Sequence, residues 1–149
     1  NCGGEPLVIE YNVRMGDPET EAVMPRIASD LLPVLEAAAD ARLNGITIET
    51  DPRTSVTVMA VSGGYPGDYE KGKPISGNLA PAESIIFHAG TAAAADGTPV
   101  TAGGRVLTAT SYGRNISEAA ALSYKALEVV HFDGMYFRRD IGRDLLPYE

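Results

Sequence analysis

The pattern of hydrophobic residues changes near residue 50, and this change constrains the fold more than any other feature of the sequence. A largely helical stretch ends at about residue 43, and short runs of β-branched residues separated by glycine-rich turns follow from Thr54 onward. We therefore predict an α+β fold in two unequal parts. Residues 1–49 form a strand and helices at the end of a larger domain. Residues 50–149 form a small, mostly antiparallel β module with one packed helix.

The first part is predicted to begin with a strand and to continue as short helices. Residues 7–14 alternate in character and are rich in β-branched side chains, which indicates a strand. Asp17 stands at the N-cap position of the next helix, with Pro18 as its first helical residue. Pro25 and Pro33 cannot lie in an undisturbed helix interior, so we expect two or three short helices instead of one long helix.

The second part is predicted to contain short strands, one hairpin loop and one helix. The helix begins at a cap on Ser117 and ends at about residue 130, with an apolar face toward the core. A small-residue stretch at 92–97 indicates an exposed hairpin loop. The predicted strands are Thr54–Val61, Ser84–His88, Pro99–Thr101, 105–112 and 135–138.

Charge and composition restrict the partners open to the chain. Its net charge of −8 argues against a nucleic-acid partner, because phosphate binding needs clustered lysine and arginine. No apolar run approaches the length that spans a bilayer, so we expect no membrane partner. The single cysteine, Cys2, excludes an internal disulfide and fits a cytoplasmic location. The chain starts at Asn1, shortly before the predicted strand, and we expect a cut inside a longer chain there.

Three polar side chains follow one another along the predicted first strand. Glu10, Asn12 and Arg14 occupy every second position, so strand alternation directs them to one face while the apolar residues between them face a core. A carboxylate and an amide oxygen can hold Mg²⁺ against nucleotide phosphates, and an arginine can neutralise a transferring phosphoryl group. Taken alone, the same pattern is more typical of a solvated strand face.

A longer run of residues resembles a known family. The run EYNVRMGDPETE at 10–21 is similar to the signature of phosphoribosylamine–glycine ligase, and its E-x-N-x-R part resembles the metal-binding strand of ATP-grasp enzymes. One such block would be weak support, whereas blocks in the family's order across nearly the whole chain are specific. The further blocks are PR at 25–26, SDL at 29–31, SGGYPGDYEKG at 62–72, FHAGT at 87–91, GGRVL at 103–107 and FDGMYFRRDIG at 132–142.

The resemblance implies an ATP-dependent ligation. In this family the glycine carboxylate attacks the γ-phosphate of ATP, and the amine of 5-phosphoribosylamine then displaces phosphate from glycyl phosphate, forming glycinamide ribonucleotide for purine biosynthesis. The implied ligands of Mg²⁺ (or Mn²⁺) are Glu10 and Asn12, and Arg14 has the implied catalytic role beside the phosphoryl group. The start of the next helix offers free N–H groups to an anion, and its implied substrate contacts are Gly16, Asp17 and Pro18.

Four cationic residues in the second part are further candidates for substrate contact. They could approach the ribose phosphate if the β module folds over the site. Composition alone favours a simpler explanation for the segment 63–72, because a glycine- and proline-rich turn between strands accounts for every glycine in it. The candidates are Lys71, Lys73, Arg138 and Arg139.

The resemblance also indicates what the chain lacks. The family's adenine pocket, phosphate-binding lysines and glycine-rich lid have no counterpart in the sequence, so we expect the chain alone to be inactive and the rest of the parent ligase chain to be its partner. Residues 1–49 would end the ATP-grasp domain, and residues 50–149 would form the ligase's C-terminal β-rich domain. Two alternatives are a non-catalytic β-rich docking or closure module, and a fragment of another ATP-grasp ligase. A biotin-dependent carboxylase is disfavoured because its Met-Lys-Met attachment sequence is absent.

Overall fold

A computed structural model describes residues 3–148 of the chain. It contains three α-helices, two short 3₁₀ helices and seven strands in small antiparallel sheets. This architecture confirms the predicted α+β class. The expectations about Asn1 and Cys2 lie outside the described residues. No helix within residues 3–148 is long and apolar enough to cross a membrane.

The N-terminal stretch forms short helices, as its prolines predict. Helix α1 spans Glu19–Val23, a 3₁₀ turn follows at Met24–Arg26, and helix α2 spans Leu32–Ala39. Pro25 and Pro33 each lie at the first or second position of their helices, where a missing N–H breaks no helical hydrogen bond.

The central sheet has three antiparallel strands in the order β1-β6-β3. Strand β1 (Thr54–Val61) and strand β3 (Ser84–His88) flank the longest strand, β6 (Arg105–Gly113). The positions of β1 alternate between buried and half-buried, as expected for a sheet covered on both faces to different degrees. The predicted bounds of β1 and β3 are confirmed, and β6 extends one residue beyond its prediction.

Two small pairs of strands complete the β module. Strand β4 (Thr91–Ala93) pairs with β5 (Pro99–Thr101) as a hairpin, so the predicted loop at 92–97 begins within β4. Strand β2 (Ser76–Gly77) pairs with β7 (Val130–His131), and the sequence patterns did not indicate either of them.

Helix α3 (Ile116–Glu128) covers one face of the central sheet. Its buried Ser123 donates a hydrogen bond of 2.8 Å from Oγ to the carbonyl of Val56 in β1. The helix is capped by Asn115, whose Oδ1 accepts the N–H of Glu118 at 2.9 Å, so the predicted cap at Ser117 is wrong by two residues. The buried core beneath α3 includes Val58, Ala60, Leu107, Ala109, Leu127 and Phe132.

Three hydroxyl groups of the sheet hold the helical stretch against its other face. Ser55 Oγ donates to the carbonyl of Ala22 at 2.9 Å, and Thr110 Oγ1 donates to the carbonyl of Glu21 at 3.0 Å. Tyr112 Oη donates to the carbonyl of Pro25 at 2.7 Å. Every acceptor is a backbone carbonyl, so the sheet positions the path of the main chain through α1 and the 3₁₀ turn.

Two predicted strands are not formed. Residues 7–14 have no strand structure, and apolar side chains within them are largely exposed, with Ile9 98% and Val13 96% accessible. Alternation alone does not make a strand, because a ladder needs a hydrogen-bonded neighbour, and none of the three described sheets includes this segment. The predicted strand at 135–138 is reduced to a single bridge between Tyr136 and Val61.

Candidate functional site

The turn before α1 carries three of the predicted substrate contacts. The backbone N–H of Gly16 donates to Glu19 Oε2 at 2.7 Å, and Thr20 Oγ1 donates to the carbonyl of Gly16 at 2.9 Å. Pro18, not Asp17, stands at the N-cap, and no side chain caps the helix there. The predicted capping role of Asp17 is therefore wrong, because its carboxylate is engaged elsewhere.

Asp17 is bound by an arginine from the sheet. Arg105 Nη1, at the start of β6, lies 3.0 Å from Asp17 Oδ2 and 3.1 Å from the Asp17 carbonyl oxygen. Arg105 also lies near Tyr65, with its guanidinium carbon 5.8 Å from the ring centre. The Asp17 carboxylate, with a smaller contribution from Tyr65, raises the pKa of Arg105 above its ordinary value. This pair joins the predicted substrate turn to the sheet.

An open pocket of about 460 Å³ lies between this turn and the edge of β1. Its walls are mainly apolar, and arginine and tyrosine side chains provide the polar groups, a composition typical of ligand sites. The pocket brings together two of the predicted site residues, Pro18 and Arg138, which are far apart in the sequence. Its other lining residues include Met59, Val61, Tyr65, Arg105, Tyr136 and Phe137.

The predicted metal ligands lie beside each other on the surface. Asn12 Nδ2 is 3.5 Å from Glu10 Oε1, and both residues are exposed. Arg14 Nη1 donates to the carbonyl of Met15 at 3.2 Å. One carboxylate and one amide oxygen fit Mg²⁺, which usually takes one or two protein carboxylates and completes its shell with water and phosphate oxygens. Within residues 3–148, no group of three His, Cys, Asp or Glu side chains could hold a metal ion.

Lys73 lies in a second, more acidic pocket of about 350 Å³. Its ammonium is 2.6 Å from Glu70 Oε2 and 3.2 Å from Asp133 Oδ2. These carboxylates, Glu70 first, raise the pKa of Lys73 above its ordinary value. Asp68 also lines this pocket, so the surroundings of Lys73 are acidic. An anionic substrate group would have to displace these carboxylates to reach the ammonium.

The other three cationic candidates are not among the residues that line this pocket. Arg138 makes two hydrogen bonds to Asp140, at 2.9 and 2.8 Å, and this carboxylate raises the pKa of Arg138. Arg139 Nη1 lies 2.9 Å from Glu128 Oε1, and its guanidinium lies 4.5 Å from the ring centre of Phe137. The ammonium of Lys71 is 5.9 Å from the ring centre of Tyr69.

Arg105 and Tyr65 are site residues that the sequence did not single out. Both fall inside blocks of the resemblance, GGRVL and SGGYPGDYEKG. The only signal for Arg105 was a cation directly after two glycines at the start of a strand. Taken together, the sheet, its covering helix and the pocket at its edge define a small α+β domain with an open, arginine-lined candidate site.

Comparison with known proteins places this domain in a family. Residues 55–144 match the family described as "Phosphoribosylglycinamide synthetase, C domain". The phosphoribosylamine–glycine ligase of Vibrio cholerae is 48% identical over 142 residues, which cover 93% of this chain and 33% of the relative. A bifunctional purine biosynthetic protein of Schizosaccharomyces pombe is 43% identical over 155 residues, covering 97% of this chain and 20% of the relative.

A solved structure agrees with these sequence matches. The crystal structure of phosphoribosylamine–glycine ligase from Thermotoga maritima matches with a TM-score of 0.71 and 39% identity, covering 93% of this chain and 34% of that chain. The chain therefore belongs to the phosphoribosylglycinamide synthetase C-domain family, as its motifs predicted. It spans about a third of the length of the ligases that it matches.

Proposed function

We propose that this chain is the C-terminal part of an ATP-dependent ligase that joins glycine to 5-phosphoribosylamine in purine biosynthesis. The observation that carries the proposal is the 48% identity to the Vibrio cholerae ligase across 93% of this chain. The products are glycinamide ribonucleotide, ADP and phosphate. We assign the enzyme to the cytoplasm, with Mg²⁺ or Mn²⁺ as the metal that neutralises charge on the ATP phosphates.

The proposed reaction has two steps. A carboxylate oxygen of glycine attacks the γ-phosphorus of ATP, the bond to the β-phosphate oxygen breaks, and ADP leaves. The amine of 5-phosphoribosylamine then attacks the acyl carbon of glycyl phosphate, loses a proton, and phosphate departs as the amide forms. Activation is necessary because a free carboxylate is a poor acyl donor, and the enzyme contributes mainly positioning and charge neutralisation.

We assign roles to the residues of the N-terminal segment. Glu10 and Asn12 hold the metal through a carboxylate and an amide oxygen. The two exposed side chains are neighbours, with Asn12 Nδ2 3.5 Å from Glu10 Oε1, and the amide would turn its oxygen toward the metal. Arg14 neutralises the transferring phosphoryl group, as a planar guanidinium does well. The turn that orients the substrates comprises Gly16, Asp17 and Pro18.

The cationic residues of the β module have a less direct proposed role. Arg138 borders the same pocket as Pro18, which supports substrate contact there. Lys71, Lys73 and Arg139 border other parts of the surface, and in the described structure Lys73 and Arg139 are paired with carboxylates. For Lys73 or Arg139 to contact substrate, a substrate group would have to replace the carboxylate that each of them binds.

We further propose that the domain boundary lies at residues 49/50. The family match begins close to this point, at residue 55. Residues 1–49 would then complete an ATP-grasp domain supplied by the rest of the parent chain. This division also underlies our proposal that the chain alone does not turn over ATP, because a metal-binding segment without an adenine pocket cannot hold the nucleotide in place.

The test is a chimera in which this chain replaces the C-terminal third of the Vibrio cholerae ligase. We expect ADP release that depends on both glycine and phosphoribosylamine, at a rate near that of the intact Vibrio enzyme. The isolated chain, assayed in parallel, should release none. A folded chimera without this activity, repeated with a second relative such as the 46% identical Pseudomonas aeruginosa ligase, would contradict the proposed function. Activity of the chain alone would contradict only its proposed dependence on the parent.

A further inference from the structure

Arg105 connects the predicted substrate turn to the central sheet. A single nitrogen, Nη1, donates both to the Asp17 carboxylate at 3.0 Å and to the Asp17 carbonyl at 3.1 Å. The two residues are 88 positions apart, and Arg105 lies in the segment matched by the family whereas Asp17 lies outside it. The contact fixes the backbone as well as the side chain of Asp17.

The backbone that precedes Arg105 is itself fixed by hydrogen bonds. The residue before it, Gly104, accepts the N–H of Ser62 at 2.8 Å, and the buried Ser62 donates from Oγ to the carbonyl of Gly103 at 3.0 Å. A side chain at Gly104 would meet the ring of Tyr65, because a Cβ there would lie 2.1 Å from Tyr65 Cδ2. Tyr65 therefore packs directly over this backbone and beside the guanidinium.

The turn has no comparable anchor among the described hydrogen bonds. The bonds of Gly16 run to Glu19 and Thr20, which are three and four residues away. These local bonds shape the turn, and α1 behind it is held to the sheet through the carbonyls of Glu21 and Ala22. Among the described hydrogen bonds, the contact from Arg105 to Asp17 is the one that joins residues 16–18 themselves to the sheet.

We propose that Arg105 is a positioning residue, which acts through Asp17 to hold the turn at 16–18 over the pocket at the edge of β1. The proposal rests on the proposed function, because it gives this turn its task of orienting the substrates. Side chains that orient metal ligands typically contribute about 10–100-fold in affinity or activity, and we expect an effect of the same order here. The ion pair is roughly half exposed, with side chains 41% and 54% accessible, so it adds little to stability.

The first test examines the chain by itself and does not depend on activity. Backbone ¹⁵N relaxation reports picosecond-to-nanosecond motion at the amides of Gly16 and Asp17. We expect greater motion at these amides in Arg105→Gln, with unchanged motion in α3 and an unchanged melting temperature. Arg114→Gln is the matched control, since it removes an exposed arginine–carboxylate pair within α3 and its N-terminal turn. Equal motion in Arg105→Gln and wild type would overturn the proposal.

The second test uses the active chimera in a double-mutant cycle. Arg105→Gln should lower kcat/KM for glycine about 10–100-fold, with the KM for ATP unchanged. Because Arg105 acts through Asp17, adding Arg105→Gln to Asp17→Asn should cause no further loss. Arg105→Lys should restore part of the activity, and Arg114→Gln should retain all of it. Additive losses of activity from the two substitutions would overturn the proposal. An unmutated chimera without activity would instead contradict the proposed function. In that case the relaxation measurement would decide the role of Arg105.

Discussion

The hydroxyl of Tyr112 donates a hydrogen bond of 2.7 Å to the backbone carbonyl of Pro25, from the middle sheet strand to the 3₁₀ turn 87 residues earlier. Around this bond, Arg26 donates to the carbonyl of Asp51 at 2.9 and 3.2 Å, and Arg53 lies over the Tyr112 ring at 4.5 Å. This cluster attaches the N-terminal helices to the β module close to the proposed domain boundary.

Removing the Tyr112 hydroxyl should loosen this attachment. Tyr112→Phe deletes the donor and leaves the Pro25 carbonyl without it, so we expect a loss of about 1 kcal/mol in the free energy of unfolding. Urea denaturation measures the loss, and hydrogen exchange should show it concentrated at residues 20–28. Tyr148→Phe is the control, because Tyr148 is 86% exposed. Equal stability of the two variants would show that the hydrogen bond contributes nothing.

A methyl group at Gly104 should displace the Tyr65 ring. Gly104→Ala places a Cβ 2.1 Å from Tyr65 Cδ2, so the ring must move away from the pocket wall. We expect a cost of about 1–3 kcal/mol, typical of overpacking, measured by thermal or urea denaturation. In a protein that already carries Tyr65→Ala, Gly104→Ala should cause no further loss of unfolding free energy. The same loss with and without Tyr65 would show that the strain does not come from the Tyr65 ring.

Asp51 should make stability depend on acid pH. Hydrogen bonds from Arg53 lower the pKa of Asp51 from its ordinary value of 3.8 to about 2. A depressed carboxyl pKa gives stability that is fully present above the unfolded-state value and is lost as pH falls toward the folded-state value. The wild type should therefore have a higher melting temperature than Asp51→Asn at pH 5, and the difference should shrink as pH falls through about 2 and vanish only below it. Arg53→Gln should remove the same pH dependence, and a difference at pH 2 as large as that at pH 5 would exclude this ion pair as its source.

The proposed metal ligands should matter for rate and not for folding. In the chimera, Glu10→Gln should lower the rate by about 10²–10³, as loss of one electrostatic stabiliser typically does, and should raise the Mg²⁺ concentration needed for half-maximal turnover. Melting should be unchanged, because the side chain is exposed. Glu36→Gln, on the exposed face of α2, is the control. Normal turnover of Glu10→Gln at low Mg²⁺ would mean that this carboxylate is merely solvated.

Local sequence patterns correctly predicted the strands and helices whose formation depends mainly on their own residues. The β-branched run at Thr54–Val61 predicted a strand, and the prolines at 25 and 33 predicted short helices in place of one long helix; the structure contains both. Residues 7–14 have an equally good strand pattern, but their pairing partner could not be read from the pattern itself. The two-residue strands β2 and β7 were missed because they are too short to show a pattern and pair only through the tertiary fold.

The sequence predicted single residues of the candidate site, among them the distant Arg138, but not the contacts between residues far apart in the chain. The segment from Glu10 to Pro18 was identified from one run of residues. The contact between Arg105 and Asp17 depends on the path of the chain between them, and no spacing rule relates positions 88 residues apart. The same limit applies to Lys73, whose positive charge was evident but whose partner Asp133 became visible only in the folded chain.

The sheet hydroxyls that grip α1 and the 3₁₀ turn all bond to carbonyl oxygens, and every residue type supplies a carbonyl oxygen. Substitutions at Glu21, Ala22 or Pro25 can therefore accumulate during evolution without loss of these three bonds, provided that the helical path is kept. Ser55, Thr110 and Tyr112 cannot be substituted as freely, because the bonds need their hydroxyl groups. These three contacts are thus specified by the sheet alone, whereas the contacts on either side of them also need particular side chains of the N-terminal segment, Asp17 and Arg26. An unrelated helical segment grafted onto the sheet would keep the three hydroxyl bonds and lose those two.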